Sequence, residues 1–285
     1  MIPFISSKQL DDLKKIKEEH KEVYFIKTKL VSKQDLEVIY ESEVLPIKKL
    51  WSLSNFTEEF LPKYYGSYLE EDLSSNGCYL KLHHIFFCLE RLFKMSYSNL
   101  YQYKYNFVER VDFHDKIVRF LAFLQTMEIS LVFLSPYTLF RSGRSGFYDF
   151  GSSKTFLKKL ISKEEKSRKK EEEFSYLAPE VEKFLTTSNL DLDPFKTNTY
   201  SLALMILQLD LKQPPQKDEI QKLLKEFHKK HCSLTKNKQQ VNEFLSNLTE
   251  CLASDPQDRP DFIDLFCKRE KVVKTDNIQK LIISK

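Results

Sequence analysis

Lys196-Thr197-Asn198-Thr199-Tyr200-Ser201-Leu202-Ala203 opens a run, Tyr200 to Leu211, that is apolar on nearly every side. A helix with that pattern has no face to offer water, so the run predicts a helix buried within a domain. Such a helix needs others around it. Upstream, Ile117, Phe120, Leu121, Leu124 and Met127 recur at helical spacing and mark an amphipathic helix. Downstream, several helical stretches continue to the neighbourhood of Lys285. Beyond residue 86 the chain reads as mostly helical.

The first part has a different period. Glu22-Val23-Tyr24-Phe25-Ile26-Lys27 is β-branched and aromatic and predicts a strand, with Lys17 to Lys21 as an exposed connection before it. Phe60 to Tyr68 and Cys78 to Leu82 predict strands around a polar turn, Glu70 to Gly77. Between these strands lies a helix signal. Ser32 and Asp35 imitate a capping box, and Leu36, Ile39, Glu43, Ile47 and Leu50 then follow one helical face, which Pro46 bends or divides. A carboxylate inside an apolar stripe costs free energy unless a positive group meets it. Glu43 therefore calls for a cation. The class expected is α+β, a small strand-rich part with one helix followed by a larger helical part.

Composition excludes several functions. The chain has 285 residues, 41% hydrophobic and 13% aromatic, enough for a sizeable core. No apolar run reaches 18 residues, so no membrane span is expected. Met1 to Ser6 lacks the basic leader and long apolar run of a secretory signal. Forty-five Lys+Arg against 41 Asp+Glu leave +4, spread along the chain, which does not indicate a nucleic-acid partner. Five cysteines without a C-x-x-C pair fit a reduced intracellular, cytoplasmic chain. His228, His231 and Cys232 lie close in sequence, but in a Lys-rich run without a fourth ligand nearby, so they read as a solvated helix face. Glycine is scarce: five residues, where average usage predicts roughly twenty. None lies in the first 65, which argues against a glycine-rich phosphate cradle there.

Four segments recur in order: Asp149-Phe150-Gly151; Ala178-Pro179-Glu180, which begins 29 residues after Asp149; Lys196 to Ala203; and Cys251-Leu252-Ala253-Ser254-Asp255-Pro256-Gln257-Asp258-Arg259-Pro260. Together they resemble the protein kinase family, with its D-F-G, A-P-E, buried D-x-Y-S-L-G helix and late D-P-x-x-R-P turn. The resemblance spans essentially the whole chain. It implies a single two-lobed domain over 1–285: a small sheet-rich N-lobe of about 1–82 with helix αC, a hinge at about 83–86, and a larger, mainly helical C-lobe of about 87–285. Tyr24-Phe25-Ile26-Lys27 takes the place of V-A-I-K, and Glu43, 16 residues later, that of the αC glutamate. In the family this Lys and Glu pair, which would answer the demand of Glu43 for a cation. The other reading is a strand-end lysine and an exposed helix glutamate. A register with Glu37-Val38-Ile39-Tyr40 on the lysine strand leaves too few residues before Glu43.

The same resemblance allows the catalytic parts to be checked one at a time. The catalytic loop aligns with Ile129 to Phe140, where the family's His, Arg, Asp and Asn become Leu131, Val132, Phe133 and Thr138. From Ile129 to Tyr148 there is no Asp, Glu, His, Asn or Gln, so no shift of register restores a carboxylate base. The phosphate cradle, near Ser6 to Leu10, has no glycine. Asp149 is kept, either to hold a cation with a nucleotide or as a structural residue. By resemblance, the nucleotide-binding candidates for ATP with Mg2+ are Lys27, Glu43, Leu82 as gatekeeper, His84 in the hinge, and Asp149, which is also the metal candidate. Glu180 and Arg259 are expected to pair. Asn198 replaces the Asp that anchors the catalytic loop, which implies a weakened anchor. Ser162, Ser167 and Ser175 are candidates for modification, although Val132 cannot play the family's phosphate-binding arginine.

The expected function is that of a catalytically inactive pseudokinase, a scaffold or allosteric partner of other proteins, for instance an active kinase. Two alternatives stand beside it. One is a divergent active Ser/Thr-type kinase with a displaced base such as Glu128, and the other is a nucleotide sensor without catalysis.

Overall fold

The computed structural model describes residues 23–51, 63–71, 79–88, 93–94, 106–131, 134–135, 139–142, 144–147, 150–152, 175–187, 192–209 and 217–284. The chain divides into two compact units, Met1–Lys94 with Phe140–Lys154, and Met95–Leu139 with Thr155–Lys285. Helix and strand are both present, and the class is α+β.

In the first unit, β1 (Val23–Ser32), β2 (Lys63–Glu71) and β3 (Tyr79–Cys88) form an antiparallel sheet in the order β1-β3-β2. Lys27 lies opposite His84 and Lys29 opposite Leu82; on the other side of β3, Ser67 faces His84 and Leu69 faces Leu82. A bulge between Tyr64 and Gly66 breaks the β2 ladder once. β3 is longer than its sequence suggests, because Phe86 and Phe87 extend a β-favouring run that finds a partner on both sides.

The region after β1 holds a change of helical register. Ser32 ends the strand, and its hydroxyl accepts from the Gln34 N–H at 3.2 Å, opening a 3-10 turn. Then come α1 (Leu36–Ile39), a π-turn over Tyr40–Val44, and α2 (Leu45–Trp51). The Leu45 N–H reaches back five residues to the Tyr40 carbonyl. Pro46 explains the location: it has no N–H for the Ser42 carbonyl, and its ring would collide with an α-helical turn there. Val44, fully buried, joins Val31 and Leu82 in a core cluster against which Leu36, Ile39, Tyr40 and Leu69 pack. Ile47 and Leu50 continue that buried face. Val44 is thus a core position in this turn; the side chain of Glu43 lies outside what is described.

The described residues of the second unit are mainly helical, with the short strand Ile129–Leu131 among them. α3 (Phe107–Thr126) begins with a reciprocal capping box, in which the Glu109 N–H donates to Asn106 Oδ1 at 3.0 Å and the Asn106 N–H to Glu109 Oε2 at 2.8 Å. The stripe of Ile117, Phe120, Leu121, Leu124 and Met127 is buried, as expected. There follow α4 (Pro179–Thr187), α5 (Pro194–Gln208), α6 (Ile220–Leu234), α7 (Lys238–Cys251), α8 (Phe262–Glu270) and α9 (Ile278–Ser284). Asp193 caps α5 with Pro194 at its first position, and every residue from Thr197 to Gln208 is buried. α3 packs against α8 and α9, and α5 against α7 and the strand Ile129–Leu131. Two arginines of α3 close helix ends. Arg110, 2% exposed, donates to the carbonyls of Ile206 and Leu209 at 3.5 and 3.3 Å, and Arg119 to those of Ile282 and Ile283 at 2.9 and 3.1 Å. Among the described residues no helix is long and apolar enough to cross a membrane.

Candidate functional site

The sheet brings together three of the residues expected to meet a nucleotide. Lys27 and His84 oppose each other directly, and Leu82 sits two positions along β3. Leu82 is a core residue, 1% exposed, packed with Val31 and Val44. Residues 83–86, where the hinge is expected, lie within β3, and the first unit extends to Lys94. β3 is the central strand, so the backbone groups of His83 and His84 are engaged by Thr28 and Lys27 on one side and by Tyr68 and Ser67 on the other. A base read by backbone N–H and C=O groups finds none free there. The cause is the continued two-sided pairing of the strand. Glu43 lies in the π-turn, and the strand Phe150–Ser152, which directly follows Asp149, packs against that turn. Asp149 itself, with Val132, Phe133, Thr138, Ser162, Ser167 and the segment Ser6 to Leu10, lies outside the described residues.

In the second unit α5 acts as a hub. Four polar side chains of its first two turns reach three other segments. Lys196 Nζ donates to the Gln257 carbonyl at 3.1 Å, Asn198 Nδ2 to Leu131 at 2.9 Å, Thr199 Oγ1 to Pro260 at 3.1 Å, and Ser201 Oγ to Tyr176 at 2.7 Å. Asn198 Nδ2 also donates to the Pro194 carbonyl at 2.8 Å, so both amide hydrogens are used. Leu131 is the residue that the resemblance aligns with a catalytic-loop histidine, and Asn198 donates to its carbonyl.

Glu180 and Arg259 form a bidentate pair, Nη1 to Oε1 at 2.6 Å and Nη2 to Oε2 at 2.9 Å. The guanidinium is fully buried, and the carboxylate side chain is 10% exposed. Arg259 also donates through Nε to the carbonyl of Ala253, at 2.7 Å, and through Nη2 to that of Ser254, at 3.2 Å. Its carbon Cζ stands 4.8 Å from the centre of the Tyr200 ring. Burial pushes the Tyr200 phenol up to about 12, with Arg259 pulling it down and Glu180 and Glu182 pushing it further. The sequence pairs Glu180 with Arg259 but misses Tyr200, Arg110 and Arg119. Arg110 carried a usable signal. It lies in the stripe of His114, Ile117 and Leu121, and a charge there needs a partner just as Glu43 does.

The segment entering the aligned catalytic loop is packed as core. Ile129, Ser130, Leu131, Leu134 and Ser135 are all buried. Glu128, the displaced-base candidate, sits exposed at the end of α3 with φ 57°, three residues before Leu131. Ser175 lies half-buried in a turn. His231 is not on a solvated face: it is 2% exposed, with its ring 4.3 Å from Phe227 and 5.5 Å from Phe107. His228 is exposed and bonded to Asn242 Oδ1 at 2.9 Å. Among the described residues no three His, Cys, Asp or Glu side chains cluster as a metal site. What the hub offers chemically is fixed geometry: the carboxylates beside it are engaged, Glu180 by Arg259 and Asp193 by the helix N–H groups it caps.

A scan against models of known protein families gives no match, and a search of curated proteins gives none either.

Proposed function

We propose that this chain is a pseudokinase: a two-lobed protein kinase-like domain that does not transfer phosphate and works through contacts with other proteins, an active kinase being the partner class that fits. One observation carries the reading. The loop that Asn198 ties down at Leu131 has no carboxylate, imidazole or side-chain amide from Ile129 to Tyr148. Phosphoryl transfer needs a group that orients the substrate hydroxyl and groups that hold magnesium, and this loop supplies neither.

Several family features support the kinase-like half of the proposal. The A-P-E glutamate and the late arginine are paired and buried. Asn198 stands in the anchoring position and makes the anchoring contact. The strand after Asp149 lies against the turn that carries Glu43. Residual ATP with Mg2+ would use Lys27, Glu43 and Asp149, but the paired backbone of His83 and His84 does not fit a base-reading hinge. The function proposed therefore involves no step through a nucleotide.

The test is incubation of the full chain with ATP, magnesium and generic protein substrates. We expect no phosphate transfer above the Asp149→Ala background. Turnover that Asp149→Ala abolishes would overturn the proposal and favour an active enzyme with a displaced base. Thermal unfolding with millimolar ATP separates the scaffold from a nucleotide sensor. Saturation at about 100 times Kd adds about 2.7 kcal/mol, and a shift lost in Lys27→Ala would mark a nucleotide-binding form.

A further inference from the structure

α3, α7 and α8 enclose a cavity of about 420 Å³ on the second unit, and its chemistry is independent of the kinase-like reading. Its volume suits a small ligand. Val111 and Val118 from α3, Phe244 from α7 and Leu265 from α8 contribute apolar wall, enough for a branched aliphatic or a phenyl group.

Most of the charges around this wall are already neutralised. Asp115 accepts from Arg269 Nε at 2.6 Å and lies 3.2 Å from His114 Nδ1. Lys268 is bonded to both oxygens of Glu250, at 2.7 and 2.8 Å. Four groups remain, and they fall into two sets. On α7, Glu243 and Asn247 are one turn apart and both line the cavity. Glu243 accepts one bond, from Gln239 at 2.8 Å, and retains acceptor capacity. Asn247 Oδ1 is buried and has no hydrogen-bond partner. At the end of α8, Lys271 has no charge partner among the described residues, and the pairing of Arg269 through Nε leaves its terminal amino groups for another acceptor.

An unpaired buried acceptor is costly to a fold unless something else occupies it. Here it adjoins a carboxylate, so the group that satisfies both is a cationic donor, an ammonium. The other set, a lysine and the fork of an arginine, matches a carboxylate. The same cavity carries the apolar wall. We propose that this cavity binds a free α-amino acid with an apolar side chain, its ammonium on Glu243 and Asn247, its carboxylate on Lys271 and Arg269, and its side chain against Val111, Val118, Phe244 and Leu265.

The test is calorimetric titration of the full chain with L-leucine and L-phenylalanine. N-acetyl-leucine, which lacks the ammonium, and leucinamide, which lacks the carboxylate, are the controls. At least one amino acid binds with one-to-one stoichiometry. Each control loses about tenfold or more in affinity, the loss of one charge-assisted interaction. Glu243→Gln and Lys271→Ala each weaken leucine by about tenfold, and neither moves the ligand-free unfolding midpoint, which shows that the fold is intact. Glu243→Gln leaves N-acetyl-leucine unaffected, because that ligand has no ammonium to lose. Absence of binding by both amino acids up to about 10 mM, a concentration that detects millimolar dissociation constants, would overturn the proposal. Equal binding of leucine and its two blocked forms would overturn it as well.

Discussion

Arg259 and Glu180 make the most consequential polar contact among the described residues, and their energetic coupling is measurable. The pair is bidentate, with bonds of 2.6 and 2.9 Å, and the guanidinium side chain is fully buried. Removing one member of such a pair costs about 3–5 kcal/mol, because the other is left as a buried, uncompensated charge. Arg259→Leu also orphans the carbonyls of Ala253 and Ser254 and removes the cation from above Tyr200. Glu180→Leu leaves those contacts but strands a guanidinium that cannot deprotonate. Both single variants should therefore fall in the same range, about 3–5 kcal/mol, lowering the melting temperature by roughly 6–20 °C. The double variant should lose little more than Arg259→Leu alone. Urea unfolding of the four proteins in the cycle, followed by circular dichroism, gives the coupling. Additive losses, with a coupling below about 0.5 kcal/mol, would refute the claim that the pair acts as a unit.

Asn198→Asp replaces two donors with a carboxylate aimed at the carbonyls of Leu131 and Pro194. It should lower stability by about 2–4 kcal/mol, more than Asn198→Ala, and a stabilising effect in urea unfolding would contradict the donor assignment. Burial pushes the Asp115 carboxyl up, but hydrogen bonds and charge from His114 and Arg269 outweigh that and hold it below its ordinary 3.8. Its stabilising contribution is therefore present above the unfolded value and lost as pH falls through the lower folded one, so urea midpoints between about pH 2.5 and 6 should fall less steeply in Asp115→Asn. Burial pushes the Cys251 thiol up to about 12, with Glu250 adding to the shift and Lys268 and Arg259 opposing it. In the native chain at about pH 8 a thiol reagent should spare Cys251 until unfolding, and rapid native labelling at that position would count against its burial.

How far the structure was legible depended on whether the relevant signal was local. The strands around Val23 to Lys27 and Lys63 to Tyr68, the amphipathic α3 and the buried α5 follow from periodicity and composition alone. The π-turn was not legible in the same way. Counting by threes and fours assumes an unbroken α-helix and passes over Val44, which the π-turn carries into the core. Pro46 showed that the helix must yield but not how. The reach of β3 to Cys88 was missed because its continuation depends on two partner strands, which sequence does not display. Of the site, the pairing of Glu180 with Arg259 came through the motif resemblance. The helix-closing arginines did not, because Arg110 and Arg119 meet carbonyls 96 to 164 positions away.

Asn198 links this problem of legibility to function. An aspartate at that position can only accept, and so could hold a loop only by its N–H groups; an asparagine can donate, and both its amide hydrogens are committed to carbonyls. Asn198 thus holds Leu131 as a donor, a polarity opposite to that open to an aspartate. Ser201, one turn on, holds Tyr176, and Thr199 and Lys196 hold the turn that carries Arg259. Each of these bonds is made by a neutral group or a surface lysine, and none presents a free acid or base. A hub of this kind transmits position rather than protons. If the chain acts on a partner, the surface to vary is accordingly the one whose placement α5 controls: the exposed residues Ser254, Asp255, Gln257 and Asp258 of the turn that carries Arg259.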